Sequence, residues 1–288
     1  MTERQFTTYE TLEDGRIARI YMNRAEFRNA QNFSMLTEID EAFREAEADE
    51  QVRVVILGGL GPAFSAGHDL GTLDGQADRE RWANETTKIG TEERWMRETK
   101  FYFEYTRRWR DLKKITIAQV QGNCLSAGLM LAWCCDLIVA ADDAVFADVV
   151  GTRLGMCGLE YFAHPWEFGP RKAKELLLTG DSLSAEDAHR LGMVNKIFAA
   201  DEMEAQTLRF ASRIAEVPSF AALLIKESVN QTQDAQGFYT SLKASFSIHE
   251  ANHAHWAEVT KGESAIGTPE HGVSGERRPI QHSDPASP

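Results

Sequence analysis

Two segments of this chain run an apolar strand into a turn of small residues that opens a helix. The first is VVILGGLGPAFSAGHDL (Val54 to Leu70) and the second is ITIAQVQGNCLSAGLML (Ile115 to Leu131). Turns of Gly, Ala and Ser let a ligand approach the main chain, and the first N–H groups of a helix carry a partial positive charge. Either turn alone is typical of close packing of a helix on a strand. Two turns aimed at one point could instead form an oxyanion hole, a pair of N–H donors for a developing negative charge.

Length and composition indicate a globular protein. The 288 residues suffice for one large or two modest domains, and 43% hydrophobic with 26% charged residues is usual for globular chains. The N-terminal sequence lacks the apolar stretch of a signal peptide, and no run of about 18 uncharged apolar residues predicts a membrane span. We therefore expect a cytoplasmic protein without a membrane partner. The net charge of −13 disfavours nucleic acid as a partner.

Strand and helix patterns alternate along the first two thirds of the chain. Ile17 to Met22 alternates as a strand does, and Met35 to Ala46 has helical period. This alternation predicts α/β architecture over residues 1–200. Residues 201–261 show only helical patterns. Residues 262–288 are rich in Gly, Pro and Ser and poor in apolar residues, which predicts a disordered tail.

Four ordered blocks carry a family resemblance between Thr7 and Phe198. They are NRAEFRNAQ, FSAGHDL, VQGNCLSAGLMLAWCCDLIVAADDAVFA and LLLTGDSLSAEDAHRLGMVNKIF. On these blocks the chain resembles the enoyl-CoA hydratase/isomerase (crotonase) superfamily. The resemblance implies an α/β fold of the ClpP/crotonase type, a spiral of ββα units, followed by a C-terminal helical oligomerisation region at 201–261. It also implies an acyl-CoA thioester substrate, no cofactor besides the CoA of the substrate, and a homotrimer or a dimer of trimers.

The resemblance places the two oxyanion-hole amides on His68 and Ala127. Both are main-chain roles, so the side chains at these positions are nearly free to vary. A thioester carbonyl gains negative charge in an enolate-like transition state, which two fixed N–H donors would stabilise. The positions that match CoA and substrate contacts of the family are Arg28, Ala30, Ala66, Gly67, Asp69, Leu70, Gly128, Met130, Val150 and Gly158.

Both acid/base glutamates that are usual in the family are missing. The position three residues after the second amide is Met130, and the second glutamate position falls on Val149 or Val150. Hydration of a double bond needs a base for water and an acid for the α-carbon, so we expect poor hydratase activity. A proton shift between carbons needs one carboxylate. Asp148 and Glu160 are the candidates, although Asp148 could be a turn cap and Glu160 a helix-start carboxylate.

Two other hypotheses stay open at this point. The chain could be a non-catalytic or regulatory acyl-CoA-binding homologue that keeps the two turns without the carboxylates. The sequence HEANH at His249 to His253 also matches the HExxH zinc-peptidase motif, with Glu250 as the base. Its third ligand would have to come from Glu258 or the tail, and short motifs arise by chance. We therefore predict no metal site.

Overall fold

The computed structural model describes residues 4–259, and these form two β-sheets surrounded by helices. The strands in this range are β1 (Thr7–Leu12), β2 (Ile17–Met22), β3 (Val54–Gly59), β4 (Ala63–Ser65), β5 (Ile115–Val120), β6 (Asn123–Leu125), β7 (Leu137–Ala141), β8 (Val145–Ala147), β9 (Leu183–Ser184) and β10 (Lys196–Phe198). The α-helices are α1 (Phe33–Ala48), α2 (Leu73–Glu85), α3 (Gly90–Glu98), α4 (Tyr105–Arg110), α5 (Ala127–Trp133), α6 (Val150–Leu154), α7 (His164–Thr179), α8 (Ala185–Leu191), α9 (Met203–Ala215), α10 (Ser219–Ala235) and α11 (Phe238–Val259). A π-helical segment, Thr99–Glu104, joins α3 to α4.

The two sheets are built from a repeated unit. One sheet has the strand order β1-β2-β3-β5-β7-β10, and the other has the order β4-β6-β8-β9. Three successive units, β3-β4-α2, β5-β6-α5 and β7-β8-α6, each give one strand to each sheet and then enter a helix. Corresponding strands of successive units pair in parallel: β3 with β5 and β5 with β7 in the larger sheet, and β4 with β6 and β6 with β8 in the smaller one. This repetition is the ββα spiral expected from the sequence.

The apolar pattern explains why the larger sheet lies in the interior. Strand β3, with the sequence VVILGG, is buried along its whole length because helices cover both of its faces. On one face α1 packs with Leu36, Ile39 and Phe43 in the main core. On the other face α9 packs a stripe of small and apolar side chains against Ile17, Val54 and Ile56.

The C-terminal helices use much of their apolar surface within the chain. In α11, Phe238, Leu242 and Phe246 are buried in the main core. Part of the apolar surface of 201–261 is therefore buried within the chain, and its predicted role in oligomerisation stays a prediction. The exposed apolar side chains of this region concentrate on α10, where they are Phe220, Leu224, Ile225 and Val229.

Two expectations from the sequence concern the ends of the chain and the membrane. The predicted tail at 262–288 lies outside the described residues, as do residues 1–3, 260 and 261. Across 4–259, each helix is too short or too polar to cross a bilayer.

Candidate active site

The pairing of two short strands brings the two small-residue turns together. Strands β4 and β6 are parallel, and Ser65 pairs with Cys124. His68 follows Ser65 by three residues and Ala127 follows Cys124 by three residues, so the two turns leave neighbouring strands at the same end. The turns are also in close contact, because a Cβ on Gly67 would lie 3.4 Å from the nitrogen of Ala127.

The N–H groups of His68 and Ala127 are available to a ligand. The neighbours of His68 are paired with Gln31: the Gln31 N–H donates to the carbonyl of Gly67, and the Asp69 N–H donates to the carbonyl of Gln31, each at 2.8 Å. Ala127 is the first residue of α5, where N–H groups have no partner within the helix. No acceptor for either N–H group occurs in the part of the chain that the structure describes.

Backbone strain orients the second donor. Ser126, which precedes Ala127, has φ 47° and ψ −116°, a conformation that L-residues rarely adopt. Such a residue costs about 1–3 kcal/mol and persists only where its surroundings hold it. Here the Ser126 N–H donates to the carbonyl of Ala147 at 2.8 Å, and the Val149 N–H donates to its hydroxyl at 3.4 Å. Strained residues concentrate at functional sites, which supports a role for the adjacent N–H group.

Both turns open on a cavity of about 420 Å³. One wall carries His68, Leu70 and Ala127 from the turns, and the opposite wall comes from α3, the π-helical segment and α11. The polar and charged side chains of the lining are Gln31, Asn32, His68, Asp69, Arg79, Arg94, Arg97, Glu98, Tyr102, Glu160, His249 and His253.

Glu160 lies in this cavity and is paired with His68. The Nε2 atom of His68 is 3.1 and 3.2 Å from the two carboxylate oxygens of Glu160, and the His68 ring stacks on Tyr102 at 3.9 Å between centroids. Burial disfavours the charged carboxylate, but the His68 and His249 imidazoles outweigh it and lower the pKa of Glu160 to about 2. Glu160 is therefore ionised, and the Nε2–H of His68 donates to it.

Asp148, the other sequence candidate for proton transfer, has a different environment. Its carboxylate accepts the N–H groups of Val150 and Leu159, each at 3.1 Å, and its Oδ2 lies 3.0 Å from His164 Nε2. It is 4% exposed and is not among the residues that line the cavity. The carboxylate therefore holds the chain at the start of α6, and this environment favours the turn-cap interpretation of Asp148 over an acid/base role, which stays a prediction.

The two family glutamate positions differ in their access to the cavity. Val150 lines it, at the start of α6. Met130 is fully buried in the main core and is not among the residues that line the cavity, so its predicted substrate contact stays a prediction. All residues of α5 are buried, and of these Ala127, at its first position, lines the cavity. Gly128 is likewise a packing position, since a Cβ there would lie 2.7 Å from the carbonyl of Ser65.

The other predicted contact residues lie around the first turn and at the cavity wall. Arg28 is exposed, and its carbonyl accepts the N–H of Ala66 at 2.9 Å. The Ala30 carbonyl accepts from Arg24 at 2.6 Å. Leu70 is 49% exposed at the cavity and Gly158 lies in its wall.

Asp69 touches the cavity, but its carboxylate is engaged elsewhere. It forms a buried ion pair with Arg24 at 2.9 Å and accepts the N–H groups of Gly71 and Thr72. Burial opposes ionisation, yet the hydrogen bonds from Thr72, Arg24 and Gly71 prevail and lower the pKa of Asp69. The carboxylate therefore holds the loop after the first turn, and the predicted CoA contact at Asp69 stays a prediction.

Helix α11 brings two further histidines into the cavity that the sequence did not associate with the turns. His249 and His253 lie one helical turn apart, beside Glu98 at the end of α3. The signal for this cluster was the HEANH motif, whose histidines share one helix face. The sequence could not show that this face lies against α3.

Comparisons with known proteins agree with this architecture. Residues 13–266 match the family model described as enoyl-CoA hydratase/isomerase. The "Putative enoyl-CoA hydratase EchA13" of Mycobacterium tuberculosis is 61% identical over 94% of this chain and 88% of its own length. The crotonyl-CoA hydratase of Syntrophomonas wolfei is 30% identical over 82% of this chain and 84% of its own.

A solved structure shows the same fold. The crystal structure of a "probable enoyl-CoA hydratase" from Mycobacterium smegmatis superimposes with a TM-score of 0.82 at 44% identity, covering 91% of this chain and 99% of that one. The chain therefore belongs to the enoyl-CoA hydratase/isomerase family, and it is an enzyme of that family with the crotonase fold.

Proposed function

We propose that this enzyme binds an acyl-CoA thioester with its carbonyl oxygen between the N–H groups of His68 and Ala127, and that it moves a proton at the α-carbon. The proposal rests on the close contact of the two turns at Gly67 and Ala127, at a cavity that Glu160 also lines, and on the lack of an acceptor for the His68 and Ala127 N–H groups among the described residues. Two such donors stabilise the enolate that forms when the α-proton leaves.

The proton carrier in this proposal is the Glu160–His68 pair. A carboxylate with a pKa of about 2 is a weak base by itself. By accepting the Nε2–H of His68 it stabilises the imidazolium form of that ring, and the neutral form, which has lost the Nδ1 proton, takes up the α-proton, as in carboxylate–histidine pairs of other enzymes. Glu160 is then a positioning residue for the imidazole, and the main-chain N–H of His68 serves the oxyanion.

Two features support CoA as the group to which the acyl chain of the substrate is attached. Three arginines line the cavity, Arg79, Arg94 and Arg97, and they offer positive charge to an anionic ligand although the chain as a whole is negative. The loop of Arg28 and Ala30 lies beside Ala66, where the family resemblance expects the CoA contacts. The trimer or dimer of trimers that the resemblance implies remains part of the proposal.

A proton shift between carbons fits this site better than hydration. The two family glutamate positions hold Met130 and Val150, whose side chains have no group that can accept or donate a proton. Hydration is the second candidate function. It is favoured by one observation, that the carboxylates of Glu98 and Glu160 line the same cavity.

The decisive experiment measures exchange of the α-protons of butyryl-CoA in D₂O by NMR, beside isomerisation of a 3-enoyl-CoA and hydration of crotonyl-CoA. His68→Ala should slow exchange by about 10²–10⁴-fold, the usual contribution of an acid/base group, and Glu160→Gln should also slow it, because the carboxylate that stabilises the imidazolium is lost. His68→Ala should keep thioester affinity, since its N–H donor is on the main chain.

The matched control is Glu167→Gln, which makes the same change at a carboxyl group that does not line the cavity. It should leave exchange unchanged. Bound acyl-CoA without exchange or turnover in the wild type would instead support the non-catalytic acyl-CoA-binding hypothesis. Exchange that survives both Glu160→Gln and His68→Ala would refute the assignment of the proton carrier.

A further inference from the structure

Three potential metal ligands from distant parts of the chain meet at the wall of the cavity. The Oε2 atom of Glu98 is 3.5 Å from Nε2 of His249 and 3.6 Å from Nε2 of His253. The three ligand atoms all lie within 4.8 Å of one another. The histidines occupy positions i and i+4 of α11, and the carboxylate comes from the end of α3.

The orientation of His249 is fixed by a hydrogen bond that leaves Nε2 facing the cluster. Its Nδ1–H donates to the carbonyl of Gly158 at 2.8 Å. Metal-binding histidines are commonly held in this way, with one ring nitrogen donating to a carbonyl and the other directed at the ion. His249 and Glu98 are 4% and 5% exposed, and the Nε2 and Oε2 atoms have no hydrogen-bond partner in the described residues.

Electrostatics also call for a cation at this point. The carboxylates of Glu98 and Glu160 both face Nε2 of His249, each with an oxygen at 3.5 Å. Buried carboxylates need compensating positive charge, and Glu160 has the His68 ring beside it, whereas Glu98 has only the His249 and His253 nitrogens within 4 Å among the described residues. A proton on Nε2 could supply one charge, whereas a divalent ion would balance both carboxylates.

We propose that Glu98, His249 and His253 bind a divalent transition-metal ion, of which zinc best matches two imidazoles and a carboxylate. Zinc bonds to nitrogen and oxygen of about 2.0–2.2 Å place the ligands of a tetrahedral site about 3.3–3.6 Å apart. The two measured distances from Glu98 fall in or next to that range. The His253 side chain is 23% exposed at the cavity wall, so it has room to complete the site.

This site is not that of a zinc peptidase. The base of an HExxH enzyme is the glutamate after the first histidine, here Glu250. Glu250 is fully buried and does not line the cavity, because it lies about 100° around the helix from His249. The proposed ion has three protein ligands, so its fourth position is open to water or to a ligand oxygen in the cavity. The proposal does not depend on the proton transfer proposed above.

The test is metal binding by the full chain, purified without an affinity tag and freed of metal by a chelator. We expect isothermal titration with Zn²⁺ to show one ion bound per chain, and Co²⁺ to give the visible absorption of a low-symmetry site with nitrogen ligands. Glu98→Gln and His253→Gln should each weaken Zn²⁺ binding by at least about tenfold to a hundredfold, the loss that even outer-shell changes cause.

The matched control is His255→Gln, which removes an exposed histidine of the same helix outside the cavity. It should bind Zn²⁺ as the wild type does. Folded wild-type protein that binds neither ion would overturn the proposal and leave a proton on His249 as the cation. Binding lost in His255→Gln, or retained at full strength in both other variants, would also overturn it, because the ion would then lie elsewhere. If a variant fails to fold, Zn²⁺ and Co²⁺ binding by the wild-type protein still tests the proposal.

Discussion

Replacing Gly67 with alanine tests the close approach of the two turns without touching a titratable group. Gly67 has φ +94°, and a Cβ there would lie 3.0 Å from the carbonyl oxygen of Leu125 and 3.4 Å from the nitrogen of Ala127. An alanine in a left-handed conformation costs about 1–2 kcal/mol. The new methyl group must also push the first turn away from the second by a few tenths of an ångström.

That displacement separates the two proposed oxyanion donors. Loss of one oxyanion-hole donor costs about 10²–10³-fold in rate, so we expect Gly67→Ala to slow α-proton exchange of butyryl-CoA by up to that factor. The strain should lower the thermal midpoint by roughly 2–4 °C for each kcal/mol, as in other large domains. Exchange by NMR and unfolding by circular dichroism measure the two effects separately.

Gly192 is the matched control. It has nearly the same conformation, φ +91°, at the end of α8, and a Cβ there would meet no atom within 4 Å. Gly192→Ala should therefore lose similar stability and keep wild-type exchange. Equal exchange rates in Gly67→Ala and Gly192→Ala would refute the assignment of the oxyanion hole to these turns.

Three further predictions follow from individual contacts. Asp148→Asn should lower the unfolding free energy by about 1–3 kcal/mol while exchange per folded molecule stays unchanged, because the amide disrupts a buried cap outside the cavity; circular dichroism and the exchange assay check this. Light scattering should show a trimer or a trimer pair for the wild type and a smaller species for Ile225→Lys, whose side chain is 61% exposed on the apolar face of α10. Burial raises the pKa of Glu167 to about 8 from its ordinary 4.5, so this group stabilises the fold below pH 4.5 and that contribution is lost as pH rises through 8. Glu167→Gln should therefore reduce the decrease in the free energy of unfolding between pH 4.5 and pH 8. Chemical denaturation across this range measures the effect, and a pH profile equal to that of the wild type would contradict the prediction.

The sequence by itself determined the family and the order of the ββα units. Both are local properties: the small-residue turns follow apolar strands directly, and each unit is continuous in the chain. The start of α8 is local in the same way: Ser184 accepts the N–H of Asp187, three residues later, at 3.1 Å. Such contacts span three residues, so spacing alone predicts them.

Tertiary structure decided which side chains reach the cavity. The sequence offered Asp148 and Glu160 as equivalent candidates. In the structure the Asp148 carboxylate accepts two main-chain N–H groups, whereas Glu160 lines the cavity. The family resemblance predicted Met130 as a substrate contact, whereas in the structure its side chain is fully buried in the core. The atoms that surround a side chain come from helices and strands that are distant in the sequence and meet only in the folded chain. A local sequence pattern therefore does not show whether the side chain is buried or lines the cavity.

The cluster of Glu98, His249 and His253 shows the same limit most clearly. The sequence showed two histidines on one helix face, and from the motif alone their third ligand had to be Glu258 or the tail. Only the packing of α11 against α3 brings Glu98 to them, because residues so far apart in the chain meet through the burial of Phe238, Leu242 and Phe246 in the core. Hydrophobic burial, which is non-directional, thus places polar groups that no sequence spacing relates.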